Sequence, residues 1–168
     1  MIDIQKATTT SDFKIIEQLA KEILHEVYDP IIPAEHTVFF LQKFQTVSAI
    51  QEQIKKENFQ YYLLFFNEIP VGYIGFYIKK SVLYLSKIYI LEISRGNKIG
   101  KTALQFVQQK AKDSKVNRIE LLVNQQNKNT IAIYKKYGFE ILKAVSNSFS
   151  DGFTVEDYIM EKEMNISE

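Results

Sequence analysis

The sequence predicts an α/β protein built as one layer of mixed, mostly antiparallel sheet, about six to seven strands, flanked by helices. Three observations carry this expectation. Apolar residues through Ile54 recur at helical spacing, dense β-branched and aromatic runs begin at Tyr61, and beyond Ile90 the two periods alternate. Neither a helical bundle nor a sandwich has that order.

Residues Ile2 to Lys6 alternate weakly and read as a short first strand. Thr8-Thr9-Thr10-Ser11-Asp12 supplies candidate N-caps for a helix whose apolar face is Phe13, Ile16, Leu19, Ala20, Ile23, Leu24 and Val27. Pro30 and Pro33 end it, because proline lacks the amide that a helix interior needs. A second helix is expected over Ala34–Phe44. A third is expected from a capping box at Ser48 and Gln51, running through Ile50 and Ile54. Tyr61–Phe66, Val71–Ile78 and Val82–Ile90 then read as a three-strand meander with turns at Asn67–Pro70 and Lys79–Ser81. A loop, Glu92–Gly100, leads into a helix through Ile99, Ala103, Phe106, Val107 and Ala111. Strand Arg118–Val123, helix Lys128–Tyr137, a re-entry at Gly138-Phe139, a polar loop Ser146–Gly152 and a strand near Val155–Lys162 complete the chain.

Composition narrows the function classes. With 168 residues, 46% of them hydrophobic and no Gly/Ser/Pro-rich linker, the expectation is a single domain over residues 1–168. The 13% aromatic content excludes a disordered chain. Lys and Arg number 21 against 20 Asp and Glu, which lacks the basic excess of a nucleic-acid binder. The absence of cysteine removes disulfides, thiolate metal sites and a cysteine nucleophile together. His25 and His36 are too few for a metal site without carboxylates, so no metal is expected. The longest apolar run, Tyr61–Phe66, falls far short of the roughly 20 residues that span a bilayer. Met1-Ile2-Asp3-Ile4 does not resemble a signal peptide, and the expected location is cytoplasmic, with no membrane partner.

The most informative segment joins the strand ending Ile88-Tyr89-Ile90 to the helix after Arg95-Gly96-Asn97-Lys98-Ile99-Gly100. Amides at a helix start lack internal partners and carry the positive end of the helix dipole, so a glycine-containing entry can cradle phosphate. Arg95 and Lys101 add countercharge. The same loop also reads as a plain glycine turn before a surface helix. It is neither a dinucleotide fingerprint, which needs three spaced glycines, nor a Walker loop, because position 95 is arginine.

Arg95 through Lys101 resembles the acetyl-CoA signature of the GNAT superfamily of N-acetyltransferases, Arg/Gln-x-x-Gly-x-Gly/Ala at a strand-to-helix junction. Asn127, Thr130-Ile131, Tyr134 and Gly138-Phe139 resemble the family's second block, Asn-x-x-Ala-Ile-x-x-Tyr-x-x-x-Gly-Phe. The two blocks cover about 50 residues, and the element order fits the family over nearly the whole chain. One departure stands out: Lys98 occupies the place of the first signature glycine, where a side chain needs a compatible dihedral. The resemblance implies a GNAT-like fold and an acetyl-CoA-dependent N-acetyltransferase. Acetyl-CoA would be the co-substrate, held by the backbone around Ile88, Tyr89 and Ile90, by Arg95, Gly96, Asn97, Lys98, Ile99, Gly100 and Lys101, and by Asn127. Tyr134 would stand near the sulfur as proton donor.

A primary amine is neutral in about one molecule in 2,500 at pH 7, so something must accept its proton. Many family members use a glutamate on the strand ending here at Ile90. That strand reads Tyr84-Leu85-Ser86-Lys87, without a carboxylate. Glu92 is the nearest candidate base, water relayed through Ser86 an equal one, and His25 a weaker one. The last two strands are similar to those of the bacterial polyamine acetyltransferase branch, and Asp151, Glu156 and Asp157 could receive a cationic amine. The wall on the acceptor side is expected at Tyr28-Asp29-Pro30 and the following helix. The expected acceptor is an amine of a small molecule, such as a polyamine or amino acid, attacking directly in a ternary complex. A protein lysine or N-terminus and a non-catalytic acyl-CoA-binding or regulatory module are the alternatives. Family members often dimerise, and no heptad or apolar patch in the sequence decides for or against a homodimer.

Overall fold

A computed structural model describes residues 1–165, in the order β1 (Ile2–Lys6), α1 (Thr10–Tyr28), α2 (Ala34–Phe44), α3 (Val47–Glu57), β2 (Gln60–Phe66), β3 (Ile69–Lys79), β4 (Val82–Ile90), a 3₁₀ turn (Glu92–Ser94), α4 (Ile99–Asp113), β5 (Arg118–Asn124), α5 (Lys128–Lys136), β6 (Glu140–Ser148) and β7 (Thr154–Glu163). The seven strands form one sheet in the order β1-β2-β3-β4-β5-β7-β6. Only β4 and β5 pair in parallel, across the α4 crossover.

Period-2 alternation on β2 explains the layering. Tyr61 and Leu63 join Phe13, Ile16, Leu19, Ile23 and Leu24 of α1, with Leu41 and Ile50, in one core. Tyr62 and Leu64 face the opposite way and pack with Ile99, Ala103, Leu104, Val107 and Ala111 of α4 and with Ile131 and Tyr134 of α5. The sheet is therefore covered on both faces, as its long apolar runs require.

Local chemistry sets the boundaries. Thr9 caps α1 in a reciprocal box with Asp12, the Asp12 amide donating to Thr9 Oγ1 at 3.1 Å and the Thr9 amide to Asp12 Oδ2 at 3.1 Å. The cap of α3 is Thr46, whose Oγ1 accepts from the Ala49 amide at 3.1 Å, so the helix starts two residues earlier than the box expected at Ser48 would place it. Both hairpins of the meander turn on two left-handed residues, Asn67-Glu68 and Lys80-Ser81, which is tighter than the expected loops. Pro70 lies inside β3, next to a register shift on that hairpin, where its missing amide is tolerated. Ser146–Ser148, expected in a loop, extend β6 against β7. No helix among the described residues is long and apolar enough to cross a membrane.

Candidate active site

A break in the sheet creates the site. β4 pairs with β5 only from Val82 to Leu85, opposite Arg118 to Leu121. On its other side, Phe76 faces Leu85 and Gly75 faces Lys87, so Ser86 is an extra residue without a partner. Such a bulge bends and twists its strand, and here it coincides with the point where β4 and β5 part. Beyond it, the edge of β4 that faced β5 has backbone groups free to pair with an extended ligand. The opening is a cleft of about 730 Å³, lined by Ser86, Ile88, Ile90, Leu122, Asn127 and Tyr134 and continuing to the start of α4.

The loop at that end is built from unusual backbone. Gly96 (φ +87°) and Lys98 (φ +62°) are left-handed, and Lys98 is the N-cap of α4 without a capping side chain. The first turn of α4 holds no acidic residue, so its amides stay open to an anion. Arg95 curls back, its Nε and Nη2 donating to the Ile90 carbonyl at 3.3 and 3.2 Å, which pins the loop to the end of β4. Of the residues expected to hold the donor, Asn97 alone does not line the cleft. Its Nδ2 donates to the Ser94 carbonyl at 3.0 Å and braces the loop from behind.

Lys98 thus adopts the backbone that a glycine would take freely. Lys98→Gly is expected to stabilise the fold by about 0.5–1 kcal/mol in thermal or urea unfolding. It should also weaken acetyl-CoA binding a few-fold at low salt by removing a cation from the cleft, and salt titration of the Kd separates the two effects.

Tyr134 projects from α5 into the same cleft, its ring 5.5 Å from that of Phe139. Burial raises its hydroxyl pKa well above the ordinary tyrosine value, and nearby Tyr28 adds to the shift. Tyr28 and Tyr89 share a 3.1 Å hydrogen bond at the cleft's inner end. Glu92 is not brought to this cluster. It is exposed, lines neither this cleft nor the second one described below, and its amide donates to Glu26 Oε1 at 3.0 Å. Glu26, on the last turns of α1, is the carboxylate that lines the cleft.

A family model for the acetyltransferase (GNAT) domain matches residues 18–162. The chain belongs to the GNAT acetyltransferases. Membership makes it an acetyl-CoA-dependent N-acetyltransferase. The fold is similar to that of solved relatives. The PaiA N-acetyltransferase from Thermoplasma acidophilum, in complex with coenzyme A, aligns at TM-score 0.81 and 21% identity over 98% of this chain and 99% of that one. A GCN5-related N-acetyltransferase from Rhodopseudomonas palustris aligns at 0.79 and 11% identity, covering 96% and 95%. The ribosomal-protein-S18-alanine N-acetyltransferase from Escherichia coli aligns at 0.75 and 15% identity, covering 100% and 97%.

This GNAT acetyltransferase has a second cleft of about 460 Å³ on the other side of the bulge, between α1–α3, the sheet and the β6–β7 hairpin. The three acidic residues considered for an amine part company there. Asp151 bonds to His36 Nδ1 at 2.6 Å, and His36 packs against Phe39, Phe149 and Phe153, so the pair docks the hairpin loop onto α2. Glu156 accepts from Ser146 Oγ at 2.6 Å and lies outside the cleft. Asp157 lines it, half-buried, with Asn147 Nδ2 donating to its Oδ2 at 2.9 Å. Burial raises the Asp157 carboxyl; burial also raises the Tyr28 hydroxyl, its hydrogen bond with Tyr89 opposes that shift, and the Asp157 charge adds to it. His25 pairs with Asp29 at 2.8 Å and lines neither cleft. Of the expected acceptor wall, Tyr28 lines both clefts, His36, Thr37, Phe40 and Phe44 of α2 line the second, and Asp29 and Pro30 line neither.

Proposed function

We propose that this acetyltransferase moves the acetyl group of acetyl-CoA to an amine of a small molecule by direct attack in a ternary complex. The observation that carries the reading is that the two clefts meet, with Tyr28, Ser86, Tyr89 and Leu122 lining both. Donor and acceptor then lie in separate clefts with their reacting ends at the bulge, and no covalent acetyl-enzyme is needed.

The residues present fit the donor. Amides at the start of α4, with Arg95, Lys98 and Lys101 beside them, suit a diphosphate, and the open edge of β4 from Ile88 to Ile90 suits the amides of a pantetheine arm, with Asn127 across from it. Acetyl-CoA supplies an activated acyl carbon and a thiol leaving group. Asp157, on the wall of the second cleft, holds the acceptor's ammonium. Deprotonating it at pH 7 costs roughly 4.6 kcal/mol, and a carboxylate with a raised pKa together with water at Ser86 takes up the proton. Tyr134 donates a hydrogen bond to the sulfur as the C–S bond breaks.

Titration calorimetry with acetyl-CoA and thiol release with an amine panel test this reading. Acetyl-CoA binding without release for any amine or peptide would point to an acyl-CoA-binding module instead. Asp157→Asn is expected to lower kcat/KM for the amine roughly 10–100-fold while leaving the Kd for acetyl-CoA within about threefold. Glu92→Gln is expected to leave the basic limb of the pH–rate profile in place, and a flattened limb would return Glu92 to the mechanism.

A further inference from the structure

Among the described residues, Lys87 is the one cation buried in the acceptor cleft, at 6% exposure. Its Nζ donates to Ser86 Oγ at 2.7 Å and sits 5.1 Å from the Phe59 ring centroid. No carboxylate lies within ion-pair distance among the described residues, although Glu57 lines the same cleft from an exposed position. An ammonium has three donors, so this one has capacity to spare inside a cavity. Burying a charge without its counterion is costly, and proteins rarely do so without a use for it. The cost is visible here, since burial lowers the Lys87 ammonium to about 8, with Glu57 opposing the shift.

We propose that Lys87 is the seat for a carboxylate on the acceptor, which is therefore an amino acid with an apolar or aromatic side chain rather than a polyamine. The inference rests on the acetyl-transfer reading above. Lys87 is one hydrogen bond from Ser86, and Ser86 borders both clefts, so an anion on Lys87 lies close to the reacting amine, as in an α- or β-amino acid. Asp157 offers the complementary charge for the ammonium. Of the other titratable groups on the cleft wall, His36 is engaged by Asp151, Tyr28 and Tyr89 bond to each other, and Tyr77 stacks on Tyr84. Phe40, Phe44, Phe59, Phe149 and Tyr77 surround the rest of the cavity and suit an apolar body. A polyamine would bring a second cation into the space that holds the Lys87 ammonium.

Matched acceptors test the proposal on the full chain. Wild type should favour L-phenylalanine over phenethylamine in kcat/KM by about tenfold or more, with spermidine poorer still. Lys87→Met should erase that preference through loss on the phenylalanine side alone, and Lys87→Arg should retain part of it. Replacing an unpaired buried cation with an apolar side chain should also hold the Tm at or above the wild-type value. Without turnover, CoA-loaded protein should bind 3-phenylpropionate about tenfold more tightly than 3-phenylpropanol in calorimetry, and Lys87→Met should close the gap. Equal binding of acid and alcohol, or an equal loss on both amines in Lys87→Met, overturns the carboxylate seat; the latter would make Lys87 part of proton transfer. A persistent acid–alcohol gap with no acetylation of any amine would retire the transfer reading and leave the seat standing. Turnover of phenethylamine and spermidine with no gap would do the reverse.

Discussion

Gly100→Glu is expected to lower acetyl-CoA affinity at least 100-fold, roughly 2.7 kcal/mol, with the fold retained. The backbone at Gly100 has room. A Cβ added there would meet only Ile90 Cδ1, at 3.5 Å, an ordinary contact. A carboxylate in the first turn of α4 suits the helix dipole, which no acidic residue complements in the native chain, so the unliganded protein should be as stable as wild type or more so. The same carboxylate would take the open amides and meet a diphosphate with like charge. Gly100→Ala separates bulk from charge. It should bind within about threefold of wild type, because one methyl group fits and alanine favours the helix. Calorimetry for the Kd and thermal melts for stability check both variants. Unchanged affinity in Gly100→Glu would move the diphosphate away from this helix.

What the sequence revealed and what it hid divide along physical lines. Elements with short-range causes were legible: the spacing of Phe13, Ile16, Leu19 and Ile23, a cap somewhere within Thr8 to Asp12, and the proline stop at Pro30 and Pro33 act within a few residues. The start of α3 was misplaced because Thr46 and Ser48 are both competent caps, and only the fold shows which hydroxyl meets a free amide. The position of β7 between β5 and β6 depends on long-range pairing that no local pattern encodes. In the cleft at the start of α4, every residue expected to hold the donor except Asn97 lines the wall, because backbone amides and a glycine-containing turn leave a short linear trace. The second cleft left only a partial one: Asp157, Tyr28 and the helix after it were named, and Lys87 was not. Lys87, Asp157 and Phe149 come from three separate strands or loops, and Lys87 in a β-rich run reads as an ordinary outward-facing lysine until the bulge at Ser86 sets the register around it. Glu26 was hidden for the same reason: on α1 it falls among charged residues of a solvated face, and its place at the cleft depends on how α1 packs against β4.

Removing a single oxygen, Tyr134→Phe, is expected to slow acetyl transfer roughly 10–100-fold while the Kd for acetyl-CoA stays within about threefold. Phenylalanine keeps the packing on Phe139, and the Tyr134 hydroxyl has no hydrogen-bond partner among the described residues, so its loss orphans nothing and should not destabilise the fold. What is lost acts on the leaving group. Burial holds the Tyr134 hydroxyl protonated throughout the physiological range, so it is always available as a donor. The same shift makes it a weaker acid than a thiol near pKa 8.5, and full proton transfer to the sulfur is uphill. Its contribution is therefore a hydrogen bond that strengthens as negative charge gathers on sulfur, which raises kcat without tightening ground-state binding. The pH dependence follows from the sign of the shift. Because Tyr134 does not ionise between pH 6 and pH 9, wild type and Tyr134→Phe should give pH–rate curves of the same shape displaced in height. Single-turnover kinetics make the comparison, so that slow product release does not mask the chemical step. An unchanged single-turnover rate would leave the departing sulfur to water or to a backbone amide.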